Sequence, residues 1–577
     1  MAVELLDMTG KVSWLLIWLI TASWFNLRAP VHCLDTCHLR TNLGDIVGST
    51  AWSESGKPFC SYRAIPYAEP PTGNLRFKAP QPTGRWSGVL KARTEGPICV
   101  QLFLGVVMGE EDCLYLNVYT PVRTPNSPQK LPVIVFIHGG KFVFGSGASV
   151  ASAPDFIMNE DVIFVTINYR LGVLGFFSTG DDEAPGNFGL KDQVAALRWV
   201  QHNIAQFGGD PKKVTLMGQS AGSKSVHLHM FSSLSKGLFQ RAISQSGSAF
   251  SLNIQPLMDY TSQARQQAQI VGCSTNNSAQ LVRCLRGVDV RALVSEELNL
   301  WQPVLEKRSS SNPEPFLTAS PLELVQSGDF YKVPWLMGST SQEGAFMGAR
   351  KIVSLVQRQA FSEHMDEEGP DIFTLGLSLN QSQIPENWKR IRHFYFGEGN
   401  NTVSKDALSK LYTDRMVVHS VHKAAVLHSQ AGQRPIFKYN FGYRGKYSYV
   451  DFQLYKMTPV DLGVVHTDDL IYLVPLPTMR WWPEGHPDLE TLHVMVAMWT
   501  NFAKYGNPTP NCANIGLVWQ PFNTSTHAYL NISQDIIQVP GAHGIRPIRL
   551  SMETFLYKDR MQFWDSLPLK ENIIYAH

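Results

Sequence analysis

The pentapeptide Gly218-Gln219-Ser220-Ala221-Gly222 sets a serine between two glycines, a spacing in which its hydroxyl can act as a nucleophile. The apolar run Val214-Thr215-Leu216-Met217 precedes it, and a helix-compatible segment, Ser223 to Met230, follows. A strand that reverses sharply into a helix strains its turn residue. Glycines two positions either side relieve the crowding and leave the serine oxygen clear of the sheet. A serine hydroxyl reacts poorly at neutral pH without a base, and the base needs a carboxylate to orient it. Behind an elbow of this kind the chain order is serine, acid, histidine. Glu343, just after the apolar run Val333–Met337, and His466, in the turn-rich segment Gly463–Asp469, meet that order. The expected roles are attack on a carbonyl by Ser220, proton relay by His466, and control of the imidazole tautomer by Glu343. Gly139 and Gly140, after the run Val133–Ile137, can bring backbone N–H groups to the developing oxyanion, with the N–H of Ala221 completing the set.

Taken singly, these residues say little. A serine between glycines is often a turn, and His466 is one of 17 histidines. Their joint order, each at a strand end, is what points to acyl transfer. His227 and His229, two apart on a helix, face different sides and make poor metal ligands. No Cys-x-x-Cys pair suggests zinc, and neither a metal nor a cofactor is expected.

The elements that must position these groups alternate. Val133–Ile137, Val162–Ile167, Val214–Met217, Arg241–Ser244, Val333–Met337 and Pro435–Tyr439 read as buried strands, and Gln193–Val200 has helical spacing. Such alternation predicts an α/β protein, a mainly parallel sheet flanked by helices, with reactive groups at the carboxyl ends of the strands. No linker or repeat divides the 577 residues, so one large domain is expected. A net charge of +2 without a basic run gives no reason to expect nucleic acid as a partner.

Lys11 followed by the apolar run Val12–Ile20, with small residues near Ala22, Ser23 and Ala29, reads as a secretory signal over residues 1–29, leaving 30–577 as the mature domain. The apolar run is too short for a stable membrane anchor, and an extracellular, secreted protein is expected. Sequons at Asn276, Asn380, Asn400, Asn523 and Asn531 fit that route as glycosylation sites. In an oxidising compartment cysteines are mostly bridged. Cys99 with Cys113 and Cys273 with Cys284 are the pairs close in sequence, while Cys33, Cys37, Cys60 and Cys512 stay unassigned.

With Glu111-Asp112-Cys113-Leu114-Tyr115-Leu116-Asn117-Val118-Tyr119, Gly73–Phe77, Asn168–Gly172 and Asn187–Gln193, the chain resembles the type-B carboxylesterases, the cholinesterase–lipase branch of the α/β-hydrolase fold. The resemblance spans nearly the whole mature chain. It implies the disulfides Cys99–Cys113 and Cys273–Cys284, the structural ion pairs Arg76–Glu111 and Arg170–Asp192, and a share in oxyanion binding for the Lys141 N–H. Two positions depart from the family pattern. Gln219 stands where glutamate is usual, and an elbow neighbour is expected to point away from the substrate. Lys141 replaces a glycine or alanine, so its side chain must turn away or narrow the pocket. Gly-Gln-Ser-Ala-Gly, with Arg76-Phe77, Asp192-Gln193 and the Gly463–Asp469 segment, is similar to the motif set of arthropod juvenile hormone esterases.

In this family choline esters sit on a tryptophan in the first disulfide loop. Here that loop, Val100 to Glu110, has no tryptophan and is mainly apolar, which favours a small lipophilic, uncharged ester. The reading is a serine esterase acting on hydrophobic esters, in particular of juvenile-hormone type. The alternatives are a broad detoxifying or odorant- and pheromone-degrading carboxylesterase, and a catalytically silent adhesion-type member. The intact Ser220, Glu343 and His466 argue against the last. The sequence leaves the oligomeric state open.

Overall fold

The computed structural model describes residues 37–122, 129–251, 260–273, 277–296, 301–398, 403–432, 434–453, 461–534 and 547–573. The expected signal segment, Cys33, and the sequons at Asn276 and Asn400 lie outside the described residues.

Among the described residues eleven strands form the main sheet. In chain order they are β1 (Ser49–Trp52), β2 (Pro58–Pro66), β3 (Tyr115–Pro121), β4 (Leu131–Ile137), β5 (Ile163–Ile167), β6 (Gly209–Gln219), β7 (Arg241–Gln245), β8 (Trp335–Thr340), β9 (Ile436–Phe441), β10 (Ala528–Gln534) and β11 (Ile548–Thr554). Across the sheet the order is β11-β10-β9-β8-β7-β6-β4-β5-β3-β2-β1. The run from β10 to β5 is parallel throughout. Antiparallel strands close both flanks.

The unbroken apolar runs follow from burial on both faces. Successive side chains point to opposite sides of a strand. Val133, Val135 and Ile137 of β4 therefore enter one core with Leu190, Val194 and Leu197 of helix α1 (Phe188–Asn203). Ile134 and Phe136 enter a second core on the opposite face. β8 and β9 begin one or two residues later than the sequence suggests because prolines precede them. Pro334 and Pro435 have no N–H for the ladder, but their carbonyls accept from Ala242 N and Trp335 N, each at 3.0 Å.

Four more helices matter for the site and its support: α2 (Ala221–Phe231), α3 (Glu343–Met347), α4 (His419–Gln430) and α5 (Pro487–Tyr505). Trp499 and Phe502 of α5 seal the second core. A third apolar cluster, with Phe361, Phe373, Trp388, Ile391 and Leu411, is built by the stretch between α3 and α4 and capped by Trp564.

Cys99–Cys113 and Cys273–Cys284 are bridged as the resemblance implied. Cys37 and Cys60, unassigned from sequence, form a third bridge, and Cys512 is unpaired and exposed. The two implied ion pairs are present and bidentate. Arg76 meets Glu111 with two contacts of 2.7 Å, and Arg170 meets Asp192 at 2.8 and 2.7 Å. No helix among the described residues is long and apolar enough to cross a membrane.

Candidate active site

β6 ends at Gln219 and α2 begins at Ala221, so Ser220 alone makes the turn, with φ 56° and ψ −118°. Few residues other than glycine hold a positive φ without strain, and such strain is kept where the surrounding structure over-determines it. Both flanking glycines are needed. A Cβ on Gly218 would strike the Gly222 carbonyl, and one on Gly222 would strike the carbonyl of Ile137. The Ser220 N–H donates to the Gln245 carbonyl of β7 at 2.9 Å, which ties the elbow to the neighbouring strand.

Glu343 opens α3 just past β8 and is fully buried. One carboxylate oxygen accepts from Thr340 N at 2.7 Å, and the other lies 2.5 Å from His466 Nδ1. A parallel bridge between Gln342 and Val465 aligns the two loops one residue away from the pair. Gln342 N donates to the Val464 carbonyl at 2.9 Å, and Val464 N donates to Gln342 Oε1 at 2.8 Å. Asp468 braces the histidine loop from below, accepting from Val465 N at 2.9 Å, Tyr449 N at 2.8 Å and the Ser448 hydroxyl. Burial pushes its carboxyl up to about 7.

The hydrogen bonds assign the imidazole tautomer. Nδ1 donates to Glu343, so Nε2 carries the lone pair that a base requires. The Gln219 side chain, expected to point away from the substrate, is buried beside the imidazole ring. Its amide nitrogen lies 3.3 Å from His466 Nε2 and donates to Thr467 Oγ1 at 2.8 Å. Among the described residues Ser220 Oγ makes no hydrogen bond. Behind the pair Asp469 accepts from Gln245 Nε2 at 2.9 Å and Tyr439 OH at 2.6 Å. Burial raises that carboxyl, and the nearby Glu343 raises it further.

The loop after β4 crosses directly over the elbow. A Cβ on Gly139 would sit 2.6 Å from Gln219 Oε1 and 3.1 Å from Ser220 Cβ, and one on Gly140 would collide with the Phe144 carbonyl. Gly140, Lys141 and Phe142 all have positive φ, at 108°, 56° and 66°. This tight left-handed run leaves the N–H groups of Gly139 and Gly140 without an acceptor among the described residues. Ala221 is the first residue of α2, where helical geometry supplies no acceptor for the N–H. His138, stacked on Tyr169 at 4.5 Å, is held neutral by burial, which lowers it to about 4.

The first disulfide loop folds into a small hairpin, Gln101–Phe103 against Val106–Met108. Gln101 pins it to the loop after β4, accepting from Gly145 N at 2.8 Å and donating to Gly145 O at 3.0 Å. Phe103 lies 5.6 Å from Phe144, and Leu104 at the tip is 66% exposed. Phe346 packs 6.0 Å from the His466 ring, a neighbour that the sequence did not single out. His227 and His229 do face different partners, His428 and the Gln193–Ser235 pair respectively.

Of the expected glycan sites, Asn380 and Asn523 are exposed. Asn531 lies on β10, where its amide donates to Glu553 at 2.8 Å and its oxygen accepts from Asn440 at 3.1 Å.

An elbow of this kind on a doubly covered, mainly parallel sheet is shared by many hydrolase families, and the sequence comparison selects one of them. The carboxylesterase family model matches residues 35–564, and the chain belongs to that family as a carboxylic ester hydrolase of α/β-hydrolase fold. Among its relatives, a juvenile hormone esterase from Tribolium castaneum is 39% identical over 92% of this chain and 94% of its own length. A carboxylic ester hydrolase from Bombus ignitus is 36% identical over 98% of each. A crystal structure of juvenile hormone esterase from Manduca sexta, with OTFP covalently attached, superposes with a TM-score of 0.79. It is 28% identical and covers 92% of this chain and 99% of that one.

Proposed function

We propose that Ser220 is the nucleophile, His466 the general base and acid, and Glu343 the group that fixes the imidazole. The single observation that supports this most is the 2.5 Å contact between Glu343 and His466 Nδ1, with Nε2 lying 3.3 Å from the amide of Gln219, the residue before the strained serine. Ser220 passes its proton to Nε2 as Oγ attacks the ester carbonyl. The N–H groups of Gly139, Gly140 and Ala221 receive the oxyanion, with Lys141 N–H as a fourth donor. The imidazolium then protonates the departing alcohol, and water repeats the sequence on the acyl-enzyme.

The substrate we infer is a lipophilic ester, in particular a terpenoid methyl ester of juvenile-hormone type. The apolar hairpin of the first disulfide loop and the names of the Tribolium and Manduca relatives support this choice. The same reading makes the protein a secreted glycoprotein, carrying glycans at Asn380 and Asn523 and at the sequons outside the described residues, with Asn531 occupied only if its hydrogen bonds yield.

Two experiments test these points. Organophosphonate labelling of wild type but not of Ser220→Ala is expected, and equal labelling of both would refute the nucleophile. Steady-state kinetics on juvenile hormone beside a generic naphthyl ester should give the lower KM for the hormone. A high hormone KM with efficient naphthyl turnover would instead make the chain a general carboxylesterase.

A further inference from the structure

Gln219 closes β6, and its side chain reaches the loop that carries His466. The amide nitrogen lies 3.3 Å from His466 Nε2 and 2.8 Å from Thr467 Oγ1, so its two N–H groups have separate acceptors. The amide oxygen rests against the loop after β4, where a Cβ on Gly139 would come within 2.6 Å of it. Thr467, the residue after the histidine, presents its hydroxyl from a strained backbone, with φ 82° and ψ −8°. Left-handed conformations are rare for a β-branched residue, and a glycine would make the same turn without strain. Neighbouring bonds hold the turn. Leu470 N donates to the Thr467 carbonyl at 2.9 Å, and Asp468 N donates to the Val465 carbonyl at 3.1 Å.

We propose that Thr467 is a positioning residue whose hydroxyl anchors the Gln219 amide against Nε2 of His466, and through it governs the pH at which that base becomes available. This rests on the serine-esterase reading and adds to it a residue outside the three proposed reacting groups. A glutamate at position 219 would be drawn to an imidazolium by charge. A neutral glutamine has only hydrogen bonds to hold it, and one long contact of 3.3 Å leaves a flexible side chain free to swing away. The second, shorter bond to Thr467 fixes it. An N–H given to Nε2 stabilises the neutral ring and opposes its protonation. The titratable groups around the ring are Glu343 of α3 on Nδ1, Asp468 and Asp469 of the histidine's own loop, and Tyr439 of β9 on Asp469. Backbone strain kept beside them points to a use for the strained residue.

The test follows kcat/KM for p-nitrophenyl butyrate across pH in wild type, Thr467→Val, Thr467→Ser and Thr467→Gly, and in Thr467→Val combined with Gln219→Met. Valine keeps the branching at Cβ, and with it the backbone strain, and removes only the hydroxyl. The acid limb of Thr467→Val is expected to move up by about half a pH unit, roughly a threefold change in the protonation constant. Serine should restore the wild-type limb. Beside Gln219→Met the valine should add no further shift, because the contact it supports is already gone. Thr467→Gly removes hydroxyl and strain together, so it carries the test if valine fails to fold, and its limb should move as far. A limb that stays within about a tenth of a pH unit of wild type in these variants overturns the proposal. So does a valine shift that persists in full beside Gln219→Met. If wild type neither hydrolyses the ester nor takes a phosphonate label, the serine-esterase reading itself falls.

Discussion

Gln219 sits where an acidic residue is usual, and its amide faces the imidazole nitrogen that we propose accepts the serine proton. A neutral donor there favours the lone pair on Nε2, whereas a carboxylate would favour the imidazolium. Gln219→Glu is therefore expected to move the acid limb of the kcat/KM profile to higher pH while leaving the plateau within about tenfold. An unmoved limb would show that residue 219 does not sense the ring. At Gly140 the argument is steric. Any Cβ meets the Phe144 carbonyl, so Gly140→Ala must shift the loop that we propose aims the oxyanion donors. A fall of about 100- to 1000-fold in kcat with an intact fold is expected, and wild-type turnover would argue against that loop as the oxyanion site. Ser220→Ala and His466→Ala should each remove most of kcat, and their double mutant should lose little more, because a relay is lost once.

At the scale of elements, the Arg170–Asp192 pair joins the segment after β5 to helix α1 and is almost wholly buried. Removing one partner leaves an uncompensated charge. Asp192→Ala should thus cost about 3–5 kcal/mol, read from the denaturant midpoint. A loss below about 1 kcal/mol would mean that water reaches Arg170. The elements were legible from sequence wherever one physical rule acted alone. The run Val133–Ile137 announced a strand buried on both faces, and Gly218 and Gly222 announced an elbow. What stayed hidden depends on side-chain direction across distant segments. Gln219 could be turned either way until the position of Thr467 was known. Cys37 and Cys60, 23 residues apart, could not be paired until β2 took its place in the sheet. Phe346 lay in a short helix with no sequence pattern to mark it.

Across the whole molecule, five histidines among the described residues are buried as neutral groups. His138 and His422 are lowered by burial to about 4, His229 and His428 to about 3, and His227 falls well below its ordinary value. Each folded-state value lies below the unfolded one, so each contribution to stability is fully present above about 6.5 and is lost as pH falls toward the folded value. His428 offers a clean test. Ala249 N donates to His227 Nδ1, so His227 Nε2 donates to His428 Nε2, which leaves the His428 Nδ1 proton buried without a partner among the described residues. His428→Gln keeps an acceptor and removes the titration. Its Tm relative to wild type should rise steadily as pH is lowered from about 7 to about 4.5. A difference independent of pH would show that the unfolded chain does not take up the extra proton.

Glu343 and His466 are 123 residues apart in the chain, yet the Gln342–Val465 rung fastens both ends of that excursion next to their contact. The excursion also encloses apolar packing of its own. It can therefore be lengthened, shortened or recontoured by substitution while the Glu343–His466 contact keeps its geometry.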